Sequence, residues 1–190
     1  MLVHESIQEQ FLDDYIPHFK NTIRNLEVDT EYDRPTEEQL TSDEALESLL
    51  DSDVVADTSY KRRRIAIDMI PELSIPSFRA KLYRFLSKRF PNSSIIQSGF
   101  FYYPPNEGMA WHTNSDTPYT RCYLSWSENG NSYFKYRNSF DGKTVISQDL
   151  PGWNIRHFDI NSERKELFWH SVYSKEDRIS VGFRIINNLK

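Results

Sequence analysis

Five histidines carry much of the chemical potential of this sequence: His4, His18, His112, His157 and His170. An imidazole can ligate a metal or exchange a proton near neutral pH. His4 and His18 fall in an acidic front with helical patterning and read as surface residues. The other three fall on segments that read as β-strands, His112 in GMAWHTNSD and His170 in ELFWHSVYSKEDRIS. A histidine on a strand is more often a satisfied structural residue than a ligand. The pair His112 and His170 therefore needs support from its neighbours.

Strand parity supplies some. Successive side chains of a strand point to opposite faces. On 178–185 one face carries Arg178, Ser180, Gly182 and Arg184, and the other Ile179, Val181, Phe183 and Ile185. On 121–126 the same division sets Arg121, Tyr123 and Ser125 against Cys122, Leu124 and Trp126. Two strands near the histidines thus each offer an arginine with hydroxyls on one face. A barrel interior lined in this way suits a small carboxylate, which a guanidinium pairs bidentately. Solvated outer faces with ordinary arginines are the alternative.

The elements that must position these residues divide at about residue 60. Ile7, Phe11, Tyr15, Phe19, Ile23 and Leu26 recur at helical spacing and predict a helix over 6–26, kinked or split at Pro17. Residues 27–36 read as an acidic loop. Thr41 and Glu44 have capping-box spacing ahead of Ala45, Leu46, Leu49 and Leu50. Ser77 reads as the N-cap of a helix through Arg89, with Phe78, Leu82, Phe85 and Leu86 apolar and Pro91 beyond its end. From residue 92 short β-branched and aromatic runs alternate with turns. Eight strands are expected: 95–103, 108–113, 119–127, 132–137, 143–147, 153–159, 166–173 and 178–187. Eight strands without intervening helices predict a mainly β sandwich or jelly roll, with the early helices on one outer face. An open two-layer α+β sheet is the other arrangement.

Charge follows the same division. The chain has 190 residues and a formal charge of −5. Residues 1–59 hold 16 acidic and 3 basic side chains, a net of −13, and residues 60–190 hold 12 and 20, a net of +8. Only 4 of the 27 aromatic residues lie in the front, so the body builds the core. No apolar run is long enough to span a bilayer. The start, MLVHESIQEQ, lacks the pattern of a secretory signal. Cys122, the single cysteine, excludes a disulfide framework or a multi-cysteine zinc site. A soluble cytoplasmic protein is expected, with 1–60 an acidic helical extension over a 61–190 β domain, together one globular unit.

Residues 99–186 resemble the double-stranded β-helix (cupin-like jelly roll) of the Fe(II)/2-oxoglutarate-dependent oxygenases. Within it, HTNSDTPYTRCYLSW and FWHSVYSKEDRISVGFRI look closest to the aspartyl/asparaginyl β-hydroxylase group. The resemblance implies that His112 and His170 ligate iron. It also implies that Arg178 and Ser180, in the R-I-S run, bind the far carboxylate of 2-oxoglutarate. Arg121, nine residues after His112, and Tyr123 would line the same site, and DLPGW at 149–153 has the family look. The usual acidic ligand position is Asn114. Its amide oxygen could ligate, iron could be held by two histidines and water, Asp116 could reach the metal, or the site could have lost iron. Trp111, Trp126, Trp153 and Trp169 could exclude water, although core residence suits them better.

The implied reaction is hydroxylation of a protein or peptide side chain, or else of a small molecule, with release of succinate and CO₂. Two other readings compete. One is a metal-free jelly roll that binds a protein partner. The other is nucleic-acid binding through Lys61, Arg62, Arg63 and Arg64. The acidic front could instead pair with that charge intramolecularly.

Overall fold

The computed structural model describes residues 2–24, 35–50, 65–67, 70, 73–114, 119–160 and 167–187. The expected loop 27–36 for the most part, the acidic run 51–59, the basic run 61–64 and Asp116 lie outside them.

Among the described residues ten strands form two antiparallel sheets: β1 (Val3–Ile7), β2 (Ile65–Ala66), β3 (Ser93–Tyr103), β4 (Glu107–His112), β5 (Tyr119–Ser127), β6 (Ser132–Arg137), β7 (Thr144–Gln148), β8 (Gly152–Ile160), β9 (His170–Ser174) and β10 (Arg178–Asn187). The larger sheet has the order β1-β8-β5-β10-β3-β2 and the smaller β4-β9-β6-β7. From β3 to β10 the chain passes back and forth between the sheets, which makes the fold a double-stranded β-helix. The eight strands expected from residue 92 onward are all present. Only the seventh differs materially, beginning at His170 rather than 166, so that Leu167 to Trp169 lead into it.

Face selection in the larger sheet follows the parity division. Cys122, Leu124, Trp126, Ile179, Val181, Phe183 and Ile185 are buried on its outer side. Helices α1 (Gln10–Asp13), α2 (Ile16–Arg24) and α5 (Pro76–Arg89) cover that side. They contribute Leu12, Ile16, Phe19, Ile23, Phe78, Leu82 and Leu86 to one cluster with the sheet. Each such side chain gains about 1.5–3 kcal/mol on leaving water. The helical cover extends to the smaller sheet. Leu40 of α3 (Glu37–Thr41) meets Ala110 and Tyr173, and Leu46 of α4 (Asp43–Leu50) meets Trp111, Leu167 and Trp169. All four tryptophans belong to these outer clusters and none is a wall of the site.

Local corrections have local causes. Residues 3–7 are a strand, because pairing with β8 decides their conformation over the apolar spacing. The helix expected from residue 6 starts at Gln10 and is split, as expected, into α1 and α2, but the break falls between Asp13 and Ile16, ahead of Pro17. The capping box is Thr36 with Gln39, not Thr41 with Glu44. Thr41 is buried at the end of α3, its hydroxyl bonded to the Glu37 carbonyl and to the Tyr133 hydroxyl. Ser42 Oγ accepts from the Ala45 amide at the start of α4 instead. Helix α5 starts at Pro76 with Ile75 as N-cap, while the Ser77 hydroxyl bonds Tyr15. Three front carboxylates meet body cations, Glu5 with Arg89 at 2.7 Å, Asp43 with Lys135 at 2.7 Å and Glu37 with Lys175 at 3.2 Å, while the run 61–64, with which pairing was expected, lies outside the described residues.

Candidate active site

The inner faces of the two sheets carry the candidate chemistry. His112 ends β4 and His170 begins β9, and they are directly paired across the smaller sheet. Both are buried and their ring centroids are 4.0 Å apart. His112 Nδ1 lies 2.8 Å from the Ala110 carbonyl, and His170 Nδ1 lies 3.1 Å from the Phe168 carbonyl. A carbonyl only accepts, so each neutral ring carries its proton on Nδ1 and its lone pair on Nε2. That tautomer, held by a backbone carbonyl, is the one a metal-binding histidine uses. Burial, together with His112, pushes the pKa of His170 well below its ordinary value of 6.5 and keeps the ring neutral. Phe134 stacks on the His170 ring at 5.0 Å, and Phe158 and Phe168 complete an apolar wall around it.

Asn114 closes this group. Its Nδ2 donates to the His170 Nε2 lone pair at 3.2 Å and to the Tyr123 hydroxyl at 3.3 Å. Arg121 Nε donates to the same hydroxyl at 3.0 Å. Gly182 lies opposite Tyr123 in the register, and a Cβ there would stand 3.1 Å from the tyrosine ring. The glycine thus provides the space Tyr123 occupies. The structure brings His112, Asn114, His170, Tyr123 and Arg121 together. Among the described residues no group of three or more His, Cys, Asp or Glu side chains could hold a metal. The donors on offer are two imidazoles and one amide.

Arg178 and Ser180 lie deeper in the barrel. Arg178 pairs with Ser127 of β5, four residues beyond Tyr123, a rise of about 13 Å along the strand. Ser180 is buried opposite Ser125. Arg178 is 2% exposed, its Nε donates to Asp149 Oδ2 at 2.8 Å, and its guanidinium lies 5.5 Å from the Tyr103 ring centre. Its Nη1 is buried with no hydrogen-bond partner. Arg184 sits at the other end of β10, opposite Arg121 and 5.3 Å from the Tyr119 ring.

Two residues of this interior were missed. Arg156 pairs with Asp149 from the other side, and the Ser132 hydroxyl donates to the same carboxylate. Burial alone would raise the Asp149 pKa, but Arg178 and Arg156 hold it well below the usual carboxylate range. The parity test on 153–159 places Arg156 with Asn154 and Phe158 opposite Trp153 and Ile155, and would have found it. Asp149 lies in a turn, where parity gives no signal. His4 also corrects its expected place at the surface. It bonds Asn154 Oδ1 at 3.0 Å and Ser147 at 3.1 Å, and so joins β1 and β8 to β7 beside this network.

No protein-family model matches the chain, and no curated protein matches it. Solved structures do. A prolyl hydroxylase from Trichoplax adhaerens, in complex with a hypoxia inducible factor oxygen degradation domain peptide fragment, superposes with a TM-score of 0.55 at 9% identity, over 98% of this chain and 83% of that one. A Pseudomonas putida prolyl-4-hydroxylase gives a TM-score of 0.48 at 10% identity, over 97% and 92%. At such identity the Trichoplax likeness shows a shared fold and nothing further.

Proposed function

We propose that this protein is an Fe(II)/2-oxoglutarate-dependent oxygenase that hydroxylates a side chain of a protein or peptide. The observation that carries the reading is the His112–His170 pair, buried and directly paired across two strands, with each Nδ1 held by a backbone carbonyl so that Nε2 is the ligating nitrogen. Two neutral imidazoles and an amide oxygen are donors that suit Fe(II). His112 and His170 would hold it, with Asn114 as the third, neutral ligand. The loss of an anionic ligand makes the site weaker than a full triad. The buried, unpartnered Nη1 of Arg178 fits the far carboxylate of 2-oxoglutarate, with Ser180 beside it on the same face.

Bound iron and 2-oxoglutarate would supply the oxidising chemistry, inserting one oxygen atom of O₂ into a substrate C–H bond and releasing succinate and CO₂. The chain's own residues orient and insulate. The Phe168 and Ala110 carbonyls fix the imidazoles, Arg121 and Tyr123 set the amide, and Phe134, Phe158 and Phe168 keep water from His170. The grouping with aspartyl/asparaginyl β-hydroxylases is part of this proposal and rests on the HTNSD and R-I-S motifs. The peptide bound by the Trichoplax neighbour supports a peptide substrate over a small molecule. No helix among the described residues is long and apolar enough to cross a membrane, and a cytoplasmic location is proposed with the rest.

A specific observation favours the second reading, a binding module without catalysis: Asp149 already occupies one side of Arg178. Succinate formation separates the two. Purified protein with Fe(II), ascorbate and 2-oxoglutarate should release succinate slowly without substrate, and His170→Ala should abolish it. Absence of succinate together with absence of metal uptake contradicts the oxygenase reading. Nucleic-acid binding is not favoured, since the run 61–64 on which it rests lies outside the described residues and no other observation supports it.

A further inference from the structure

The edge strand β1 is tied into the barrel by a titratable side chain on its inner face. His4 stands opposite Arg156 in the β1–β8 register. Its Nε2 lies 3.0 Å from Asn154 Oδ1 and its Nδ1 lies 3.1 Å from Ser147 Oγ on β7. The neighbours fix the proton positions. Asn154 Nδ2 donates to the carbonyls of Leu150 and Gly152 at 2.8 and 3.0 Å, so Oδ1 faces His4 and only accepts. His4 Nε2 therefore carries the ring proton. Ser147 Oγ accepts from Arg156 Nε at 3.0 Å, and its own hydrogen goes to the bare His4 Nδ1. The neutral ring is the form that satisfies both contacts. A second proton, on Nδ1, would set an N–H against a hydroxyl that must turn its hydrogen away, and an imidazolium beside a guanidinium.

We propose that His4 is a proton-sensitive latch: neutral, it holds β1 against β8 and β7, and protonated it releases β1 from the edge of the larger sheet. The charged groups around it are Arg156 of β8 and, behind Arg156, Asp149 of the β7–β8 turn. Further along the same inner face stand Arg178 of β10 and, at the far edge of the smaller sheet, Glu107, in a row with Ser174 and Ser132. Glu5, Arg89, His157 and Asp159 lie on the outer face of the β1–β8 pair. Burial first, and Arg156 second, lower the His4 pKa below its ordinary 6.5, against the Asn154 bond and Asp149, which raise it. A released β1 carries an ordinary imidazole and takes up the proton first as pH falls. The hold is therefore full above about pH 6.5 and weakens below it, by at most about tenfold in the opening equilibrium per pH unit. Release uncovers the β8 edge, whose unpaired backbone groups could accept another strand. Neither iron nor 2-oxoglutarate enters this latch.

The experiment is native-state hydrogen exchange of the Val3–Ile7 amides in the full chain, corrected for intrinsic exchange, at about pH 7.5 and about pH 5.5. Wild type should lose about threefold or more of its protection at the lower pH. His157→Gln, which removes the histidine on the outer face, should lose as much, and His4→Gln should lose none. If His4→Gln does not fold, nitrogen NMR of wild type reads the imidazole itself. The Nε2-protonated tautomer at about pH 7.5, and a titration midpoint below about 6.5, are expected there. Wild-type protection that does not change with pH, a response kept in His4→Gln or lost in His157→Gln, or an Nδ1-protonated His4 overturns the proposal.

Discussion

At the scale of residues, the site is a contest for the His170 lone pair. Asn114 Nδ2 donates to it, and a bound metal would have to displace that bond. An aspartate could not donate there and would add an anionic ligand. Asn114→Asp should therefore raise Mn(II) affinity about tenfold or more, read by titration. Unchanged affinity would remove position 114 from the ligand set. The two candidate anchors on β10 separate as well. Arg178→Ala should weaken 2-oxoglutarate binding while metal affinity is retained, and Arg184→Ala should leave that binding near wild type. The opposite result would move the anchor to the His112 end of the strand. Which residues face inward was legible in the sequence, since Arg121, Tyr123, Arg178 and Ser180 follow from the period of two. Asp149 was not, because its partners come from β6, β8 and β10 and no local pattern links them.

At the scale of elements, β-strand alternation was legible on β5 and β10, because helices pack one face of the larger sheet while the other carries Arg121, Tyr123, Ser125, Arg178 and Ser180. Helix starts were less legible. Thr36 and Thr41 both have the capping spacing, and only the burial of Thr41 against Tyr133 decides between them. Thr36→Ala should cost about 1 kcal/mol by denaturant unfolding, and Thr41→Ala should act by losing the Tyr133 contact instead. Leu82 is 1% exposed between α5 and the sheet, so Leu82→Ala should cost about 2–5 kcal/mol. Gly182→Ala would crowd the Tyr123 ring, and should disturb the Asn114–Tyr123–Arg121 chain more than global stability.

At the scale of the whole molecule, three front carboxylates pair with body cations, and we propose that front and body fold as one unit. Strand β1 is an edge of the larger sheet, and α1 and α2 cover Leu124, Trp153 and Ile155. A chain beginning at residue 61 should therefore expose apolar surface, bind a hydrophobic dye and lose cooperative unfolding. A cooperative transition like that of the full chain would contradict this. Acid should act through the buried ion cluster. The unfolded Asp149 carboxyl titrates near its ordinary value, about 3.9, and the folded one well below it. Its stabilisation is therefore present above about pH 4 and is lost as pH falls toward the folded value, by up to about 1.4 kcal/mol per pH unit. Asp149→Asn, where folded, should show a shallower loss over that range.

The most direct test of the central claim is Mn(II) uptake measured on wild type and on His112→Ala and His170→Ala. The account predicts one bound ion per wild-type chain and none at the same concentration in either variant. No uptake by wild type, or equal uptake by all three, would contradict it.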